Sequence, residues 1–266
     1  MSVPICVGAE IWRMGDEEFK RRVYEVMRHV FDAHHELGRL FQEKIYQREV
    51  ALRLPDAQRE VPIEVRFDDF RKTYFLDLLV GGGVIVEMKA VEALAERHKR
   101  QLMHYLFLTD LPHGKVVNLR PAHVEHAFVN NVLSVAARTS FAASDDGWQE
   151  METRRLKEGM TAILRDWGVG LDLGLYEEAA LHLCGQAPDA ETDVGVCLGG
   201  HSLGVQRMPL VAPGVALRIT ALPAQRHGEY EASLVRLLDH AELRAIQWVN
   251  ITQQLVRFRT VRKRTS

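Results

Sequence analysis

The sequence predicts an α/β protein with two related halves. Three observations lead to this class. The first half changes from helical to strand periodicity and back, a turn-like segment divides the chain, and the second half repeats the pattern of the first. The chain has 266 residues, of which 47% are hydrophobic and 26% charged, so it can form one large domain or two small ones with real cores.

Apolar spacing predicts the order of elements in the first half. Residues three to four positions apart predict helices over about 16–36, 40–54 and 91–108. Alternating apolar residues predict strands over about 61–67, 73–79, 84–88 and 115–119. Asp16 is the expected N-cap of the first helix, and Gly81-Gly82-Gly83 is the turn of a hairpin between the second and third strands. The predicted order is therefore a helical region, three strands, a helix and a strand.

The segment Ala142–Gly147 (AASDDG) is small, polar and turn-like, which is typical of a linker. It predicts a first domain over residues 1–142 and a second over residues 143–266.

The second half matches the first at a nearly constant offset. Gly38 and Tyr46 correspond to Gly168 and Tyr176 at an offset of 130 residues, and Asn118 corresponds to Asn250 at 132. A slowly increasing offset is expected of two related units that differ by rare single-residue gaps. The alternative is a chance coincidence of apolar residues in similar helices and strands.

Composition restricts the classes of function. The 34 Lys and Arg residues nearly balance 36 Asp and Glu residues, so a wholly basic surface is excluded and any nucleic-acid contact must come from local clusters. Three cysteines without a CxxC motif argue against a disulfide framework or a structural zinc site. The longest apolar run, 78–86, is too short for a membrane helix, and no secretory signal is visible. We expect a soluble cytoplasmic protein without a membrane partner.

The candidate chemistry lies on the predicted hairpin. Asp77 is on one strand, and Glu87 and Lys89 are on the next, joined by the glycine turn. Glu87 and Lys89 share a face because they are two residues apart, whereas Met88 faces the opposite layer. Two carboxylates and an ammonium on one face are costly in a core but suit a bound dication. Mg²⁺ prefers such hard oxygen ligands, and Lys89 can support a nucleophile or the charge that builds on a phosphate.

The D-x₉-E-x-K pattern on a hairpin resembles the core of the PD-(D/E)XK nuclease superfamily. The residues around HELG (35–38) and EKIY (43–46) are similar to the GxxExxY group of that superfamily, and the resemblance covers about residues 20–130. It implies two tandem restriction-endonuclease-like domains, each with a central mixed β-sheet flanked by helices, the second copy being degenerate. It also implies hydrolysis of phosphodiester bonds in DNA that depends on Mg²⁺ or Mn²⁺.

The resemblance also implies roles for single residues. Asp77 and Glu87 would bind the metal, with Glu43 as a further acid presented by the first helix. Gln101 and Tyr105 would be the Q-x₃-Y pair that follows the catalytic hairpin in a related branch. Position 40 is Leu where the group has glycine, which implies that the helix starts earlier or that the turn differs.

Two basic clusters are candidates for phosphate contact. Arg97, Lys99 and Arg100 precede Gln101 by less than one helical turn, and the tail 257–266 holds five basic residues. The alternative in each case is a solvated surface, as a helix turn in the first cluster and as a chain end in the second.

In the repeat register, the second half lacks the candidate catalytic residues. The positions of Glu43, Asp77, Glu87, Lys89 and Gln101 are taken there by Leu173, Met208, Arg218, Thr220 and Ser233. The second domain is therefore predicted to be an inactive copy that binds no metal and pairs with the first about a pseudo-two-fold axis. Two rival functions remain open: a non-catalytic interaction or regulatory protein on the same scaffold, and a metal-dependent enzyme acting on a small phosphoester.

Overall fold

The computed structural model describes residues 4–153 and 155–263 and has a mixed α/β architecture. The chain divides into two compact units, residues 1–134 and 135–266, and each unit is described by itself. The domain limits predicted from the sequence stay a prediction, as does the pairing of the two domains.

The first unit is a six-stranded mixed sheet with three helices. Its helices are α1 (Asp16–Leu37), α2 (Glu43–Leu52) and α3 (Glu96–Thr109). Its strands are β1 (Ile5–Val7), β2 (Ala57–Phe67), β3 (Phe70–Val80), β4 (Val84–Lys89), β5 (His113–Asn118) and β6 (Glu125–Asn130). The strand order follows the chain from β1 to β6, and all neighbours are antiparallel except β4 and β5, which are parallel. Helix α3 is the crossover that a parallel pair requires.

The two faces of this sheet pack against different helices. Val30 of α1 and Tyr46 of α2 share one core with Val86 and Met88 of β4. On the other face, Gly114 of β5 lies so close to Leu102 of α3 that a Cβ atom there would be 2.9 Å from the leucine Cδ1. Alternate residues of a strand point to opposite faces, so Glu87 and Lys89 leave the core that Met88 enters.

The first residues of α1 and of α2 correct two predictions. Helix α1 begins at Asp16 with Gly15 as its N-cap, so Asp16 instead places a carboxylate in the first turn, where the helix dipole favours it. Helix α2 begins at Glu43 and not near residue 40, because Gly38, at φ +71°, ends α1 and Gln42 is extended. Of the two alternatives for Leu40, the earlier helix start is wrong, and the different turn stays a prediction.

Two edge strands escaped the sequence patterns. Strand β1 pairs with β2 through Cys6 and Glu64, and β6 pairs with β5 through Phe128 and Lys115. Strand β1 has only three residues, and β6 has one buried residue among six, so neither carries enough alternation to be recognised.

The second unit combines a five-stranded sheet with a separate two-stranded ribbon. Its helices are α4 (Val135–Thr139), α5 (Leu156–Trp167), α6 (Leu173–Leu183) and α7 (His227–His240). Its strands are β7 (Ala142–Ser144), β8 (Thr192–Leu198), β9 (His201–Met208), β10 (Leu210–Ala212), β11 (Val215–Thr220), β12 (Ala245–Ile251) and β13 (Leu255–Arg262). The sheet order is β10-β11-β12-β13-β7, and β8 pairs with β9. Within the described residues, no helix has the length and apolarity to cross a membrane.

The linker predicted at Ala142–Gly147 is corrected in its first half. Ala142–Ser144 form β7, which pairs in parallel with Leu255–Arg257 of β13. Three small residues carry no periodicity of their own, so only the partner strand defines them as a strand.

A tyrosine makes the same hydrogen bonds between the first two long helices of each unit. The Tyr46 hydroxyl donates to the Gly38 carbonyl at 2.7 Å and accepts from the Phe41 N–H at 3.3 Å. The Tyr176 hydroxyl donates to the Gly168 carbonyl at 2.5 Å and accepts from the Leu171 N–H at 3.2 Å. Each ring thereby ties the turn between the helices to the helix that follows.

An asparagine repeats its contacts in the same way. The Asn118 side chain accepts from the Val91 N–H at 3.0 Å and donates to the Val91 carbonyl at 2.8 Å. The Asn250 side chain makes the same two bonds to Leu222, at 2.7 and 3.0 Å. Asn118 is the last residue of β5 and Asn250 the last but one of β12, and each holds the chain that leaves the parallel neighbouring strand.

The tyrosine contact predicts a local effect on stability. Replacing Tyr46 by Phe removes a buried hydroxyl and leaves the Gly38 carbonyl and the Phe41 N–H without that partner. We expect the free energy of unfolding to fall by about 1–2 kcal/mol, measured by chemical denaturation. Tyr24→Phe is the control because Tyr24 is exposed on α1. An equal loss in both variants would contradict this role of Tyr46.

Candidate active site

The turn between β3 and β4 fixes the register on which the site depends. Gly81 and Gly82 have positive φ values of 57° and 69°, which favour glycine. A Cβ atom on Gly83 would lie 2.5 Å from the Trp12 carbonyl oxygen. The turn pairs Leu78 with Val86, so the next residues outward, Asp77 and Glu87, are brought side by side.

Asp77 lies just beyond the last paired residues of the hairpin. Its Oδ2 accepts a hydrogen bond from the Met88 backbone N–H at 2.9 Å. The carboxylate thereby satisfies a strand donor and is held against β4 next to Glu87.

Three carboxylates converge on one ammonium. The Lys89 Nζ lies 2.6 Å from Glu87 Oε1, and it lies 3.9 Å from both Asp77 Oδ2 and Glu43 Oε1. Glu87 is fully buried and Lys89 is largely so. Asp77, Glu87 and Lys89 therefore form one compact cluster, with Glu43 at its margin.

Glu43 reaches this cluster from α2, not from the first helix as the resemblance implied. It is the first residue of α2, where a carboxylate interacts favourably with the helix dipole. The buried Gln47 donates through Nε2 to Glu43 Oε1 at 3.3 Å and also hydrogen-bonds Asp77. Sequence reasoning missed Gln47, although its position four residues after Glu43 places both on one face of the helix.

Helix α3 brings Tyr105 to the cluster, while Gln101 lies further out. The buried Tyr105 hydroxyl accepts a hydrogen bond from Gln101 Nε2 at 3.2 Å, and the Gln101 side chain is exposed. Burial raises the pKa of Tyr105, and the negative charges of Glu87 and Asp77 add to the increase. The phenol is therefore a neutral hydrogen-bonding group near the carboxylates.

Burial raises the pKa of all three carboxyl groups. Burial, followed by the charge of Asp77, raises the pKa of Glu87 to about 8. Burial likewise raises the pKa of Asp77 and of Glu43, against the opposing attraction of Lys89. For Lys89, burial by itself lowers the pKa, but attraction to Glu87, Asp77 and Glu43 outweighs it and the pKa is raised.

The donor set fits a hard dication. Glu87 Oε2 is buried and has no hydrogen-bond partner among the described residues, which is costly unless something binds it. Carboxylate oxygens are the ligands that Mg²⁺ and Mn²⁺ prefer. In the described part of the chain, no three His, Cys, Asp or Glu side chains are grouped closely enough to hold a metal, and the Lys89 ammonium lies between the carboxylates instead. The two strand carboxylates with the unpartnered oxygen are thus the fitting donors.

The predicted phosphate-contacting residues lie on the first turn and a half of α3. Arg97 and Arg100 are exposed, and Lys99 is ion-paired with Glu96 at 2.7 Å. The phosphate role of Arg97, Lys99 and Arg100 stays a prediction.

The basic tail belongs to strand β13 as far as residue 262, so up to that residue it is not a free, solvated end. Arg259 pairs there with Glu231 at 2.7 Å, and Arg257 lies over the Trp248 ring. Residues 264–266 lie outside the described residues.

The corresponding positions of the second unit carry different contacts. Met208 is fully buried, and the Thr220 hydroxyl donates to Asn250 Oδ1 at 2.7 Å and accepts from Trp248 Nε1 at 2.8 Å. Burial raises the pKa of Glu177, against the opposing attraction of Arg218. In the predicted repeat register, a guanidinium and a hydroxyl thus stand at the positions of Glu87 and Lys89.

Comparison with known proteins relates the first unit to one superfamily. Residues 20–129 match the family model of the PD-(D/E)XK nuclease superfamily, and this range includes the hairpin cluster, Glu43 and the candidate residues of α3. This part of the chain is therefore nuclease-like, and the fold of the first unit is consistent with that superfamily.

Comparison with individual proteins adds little. No curated protein matches the sequence. A solved structure titled "Crystal structure of SSO0001" is 19% identical over 45% of this chain, with a TM-score of 0.29, and the match spans 63% of that structure's chain.

The raised carboxyl pKa values predict a pH-dependent stability. In the folded protein Glu87 holds its proton up to about pH 8, whereas in the unfolded chain it ionises near its ordinary value of 4.5. The folded state therefore binds more protons between these values, and the free energy of unfolding falls as pH rises through this window. We expect Glu87→Gln to remove most of this decrease in thermal melts recorded with a chelator.

Asp32→Asn, on the exposed face of α1, is the matched control and should keep the wild-type pH dependence. If the stability of wild type and of Glu87→Gln changes with pH in parallel, Glu87 ionises normally in the folded state.

Proposed function

We propose that the first unit is a metal-dependent nuclease that hydrolyses phosphodiester bonds of DNA and belongs to the GxxExxY group. The observation that carries this proposal is the convergence of Asp77, Glu87 and Lys89 at the end of one hairpin, where a buried oxygen of Glu87 lacks a hydrogen-bond partner. The match of residues 20–129 to the nuclease superfamily supports it.

Asp77 and Glu87 would hold Mg²⁺ or Mn²⁺, with Glu43 as a further ligand or as an acceptor for metal-bound water. The bound ion would lower the pKa of a water molecule and stabilise negative charge on the phosphate. Asp77 is fixed for this role by the Met88 N–H, and Gln47 orients the carboxylates of Glu43 and Asp77. These bonds hold the oxygen ligands in place before the ion arrives.

Lys89 would act on the charge that develops during hydrolysis. Its ammonium remains protonated beside three carboxylates, so it is a donor and not a base at neutral pH. When the carboxylates turn to a cation, the ammonium can hydrogen-bond the attacking water or a nonbridging phosphate oxygen. The neutral Tyr105 phenol, supported by Gln101, supplies a further donor near the same place. Arg97, Lys99 and Arg100 would contact the DNA backbone beyond it.

The second unit is, in this proposal, a degenerate copy of the first. The repeated Tyr–Gly and Asn–backbone hydrogen bonds support common ancestry, as does the parallel register that pairs Lys89 with Asn118 and Thr220 with Asn250. Because Met208 and Arg218 replace the two strand carboxylates, this copy lacks the ligands of a dication and has no catalytic role.

The proposal predicts metal-dependent cleavage that needs Asp77. Wild-type protein should nick or degrade DNA with Mg²⁺ or Mn²⁺ but not with a chelator. Asp77→Asn and Lys89→Met should lower the rate by about 100-fold or more, the range of single electrostatic or acid–base groups. Asp32→Asn is the matched control for the loss of one surface carboxylate.

Metal binding can be separated from catalysis. At a metal concentration of about 100 times the dissociation constant, the folded state gains roughly 2.7 kcal/mol, which raises the melting temperature. We expect this rise in wild type and in Lys89→Met, a larger rise at pH 8 than at about pH 6 because the proton on Glu87 competes, and no rise in Asp77→Asn. A metal-dependent rise in melting temperature without DNA cleavage would favour a non-catalytic interaction protein. Cleavage confined to small phosphoesters would favour a metal-dependent enzyme that acts on such substrates.

The degenerate copy gives a position-matched comparison. Arg218→Ala should leave the cleavage rate within about two-fold of wild type, whereas Glu87→Ala at the corresponding position should abolish cleavage. The same DNA assay measures both variants. A comparable loss in Arg218→Ala would contradict the proposal that the second copy is catalytically silent.

A further inference from the structure

Two exposed apolar residues lie close to Glu43 in the chain. Leu40 and Phe41 precede Glu43 by three and two residues, and their exposed fractions are 80% and 46%. We refer to these two residues as the apolar rim. Exposed apolar side chains grouped beside a polar site have a solvation cost, which a binding partner can remove.

The apolar rim is held in place. Phe41 hydrogen-bonds through its backbone N–H to the Tyr46 hydroxyl, and the two rings meet edge to face with centroids 6.4 Å apart. The same hydroxyl binds the Gly38 carbonyl at 2.7 Å. The exposed ring is therefore presented on an ordered turn and pays little entropy on binding.

A basic residue adjoins the apolar rim. Arg39 is exposed directly before Leu40, so the turn presents a cation beside an aliphatic side chain and an aromatic ring, whereas Lys44 is ion-paired with Glu60 at 3.2 Å. Proteins bind unpaired nucleic-acid strands with this combination, because the cations follow the phosphates and the rings stack on the bases. In a duplex the base faces are already stacked and are not accessible to such a surface.

The second unit lacks this surface together with the catalytic residues. Its positions corresponding to Leu40 and Phe41 are Gly170 and Leu171, and this leucine is only 3% exposed. Arg39 corresponds to Val169. The tyrosine hydrogen bonds of the turn are nevertheless kept, so the fold of the turn does not require the exposed groups.

We propose that the apolar rim stacks against unpaired bases of the substrate strand whose phosphate enters the candidate site, so that the substrate is a single-stranded or locally unwound nucleic acid. This inference rests on the proposed nuclease function. It assigns Phe41 and Leu40 as substrate-binding residues. The apolar rim would then bind strands with accessible bases in preference to intact duplex.

The test measures binding without cleavage. Fluorescence anisotropy of the full chain, with a chelator and at low salt, compares a labelled single strand of about 12 nucleotides, which is within the usual site size, with its duplex. We expect wild type to bind the single strand more tightly. Phe41→Ala should weaken single-strand binding about ten-fold, the size of one stacking contact, and should leave duplex binding unchanged.

Several variants keep the outcome interpretable. Phe41→Trp should retain the affinity because it keeps a stacking ring. Leu40→Ser, at the most exposed rim position, tests the rim even if Phe41→Ala folds poorly. Tyr24→Ala and Leu52→Ser, at exposed positions on α1 and α2, are the matched controls.

The outcomes separate the two proposals. Unchanged single-strand affinity in both Phe41→Ala and Leu40→Ser, or equal losses in the controls, would overturn the rim inference and leave the nuclease proposal intact. Tighter binding of wild type to duplex would also overturn it. If wild type binds neither strand form and cleaves no DNA, the proposed function itself fails.

Discussion

The candidate site of the first unit is built around a buried carboxylate, that of Glu87, whose burial costs free energy. A carboxylate that is removed from water must be neutralised, and here Lys89 on the same strand and a raised pKa both serve that end. The neighbouring Asp77 increases the cost because two acids share one site. This arrangement is unfavourable for stability, and it leaves a high-energy oxygen that a dication can bind. The proposed metal binding would therefore depend on the same buried carboxylate that lowers stability at this point of the sheet.

The surrounding structure keeps that arrangement from relaxing. The glycine turn fixes the hairpin register, and the Met88 N–H holds Asp77 in place. Met88 itself is anchored in the core beneath α1 and α2, so β4 cannot rotate its polar face away. Helix α2 brings Glu43 and Gln47 to the same place from the other side of the strand end. The turn and the core packing are independent of the charges, whereas the Met88 and Gln47 bonds hold the carboxylates directly.

The second unit has the same kinds of support without the charges. It has a tyrosine turn, asparagine bonds and a parallel strand register, while the predicted repeat aligns Met208, Arg218 and Thr220 with the charged cluster. The scaffold contacts are therefore sufficient for this local architecture without the carboxylates. In the proposed duplication, the exposed apolar residues are absent from the second unit together with the charges, which is the pattern expected of residues that serve a ligand.

The sequence by itself determined the elements with strong periodicity and the placement of the charged residues on the hairpin. Alternation and the three glycines place Asp77, Glu87 and Lys89 on adjacent strands, because the side-chain period of a strand leaves little freedom. The tertiary structure decided what periodicity cannot encode. Strands β1 and β7 exist only through their partners, and α2 begins at Glu43 because the turn is closed by Tyr46. The role of Gln47, the unpartnered oxygen of Glu87 and the exposure of Phe41 all depend on distances between segments far apart in the chain, which no local pattern contains.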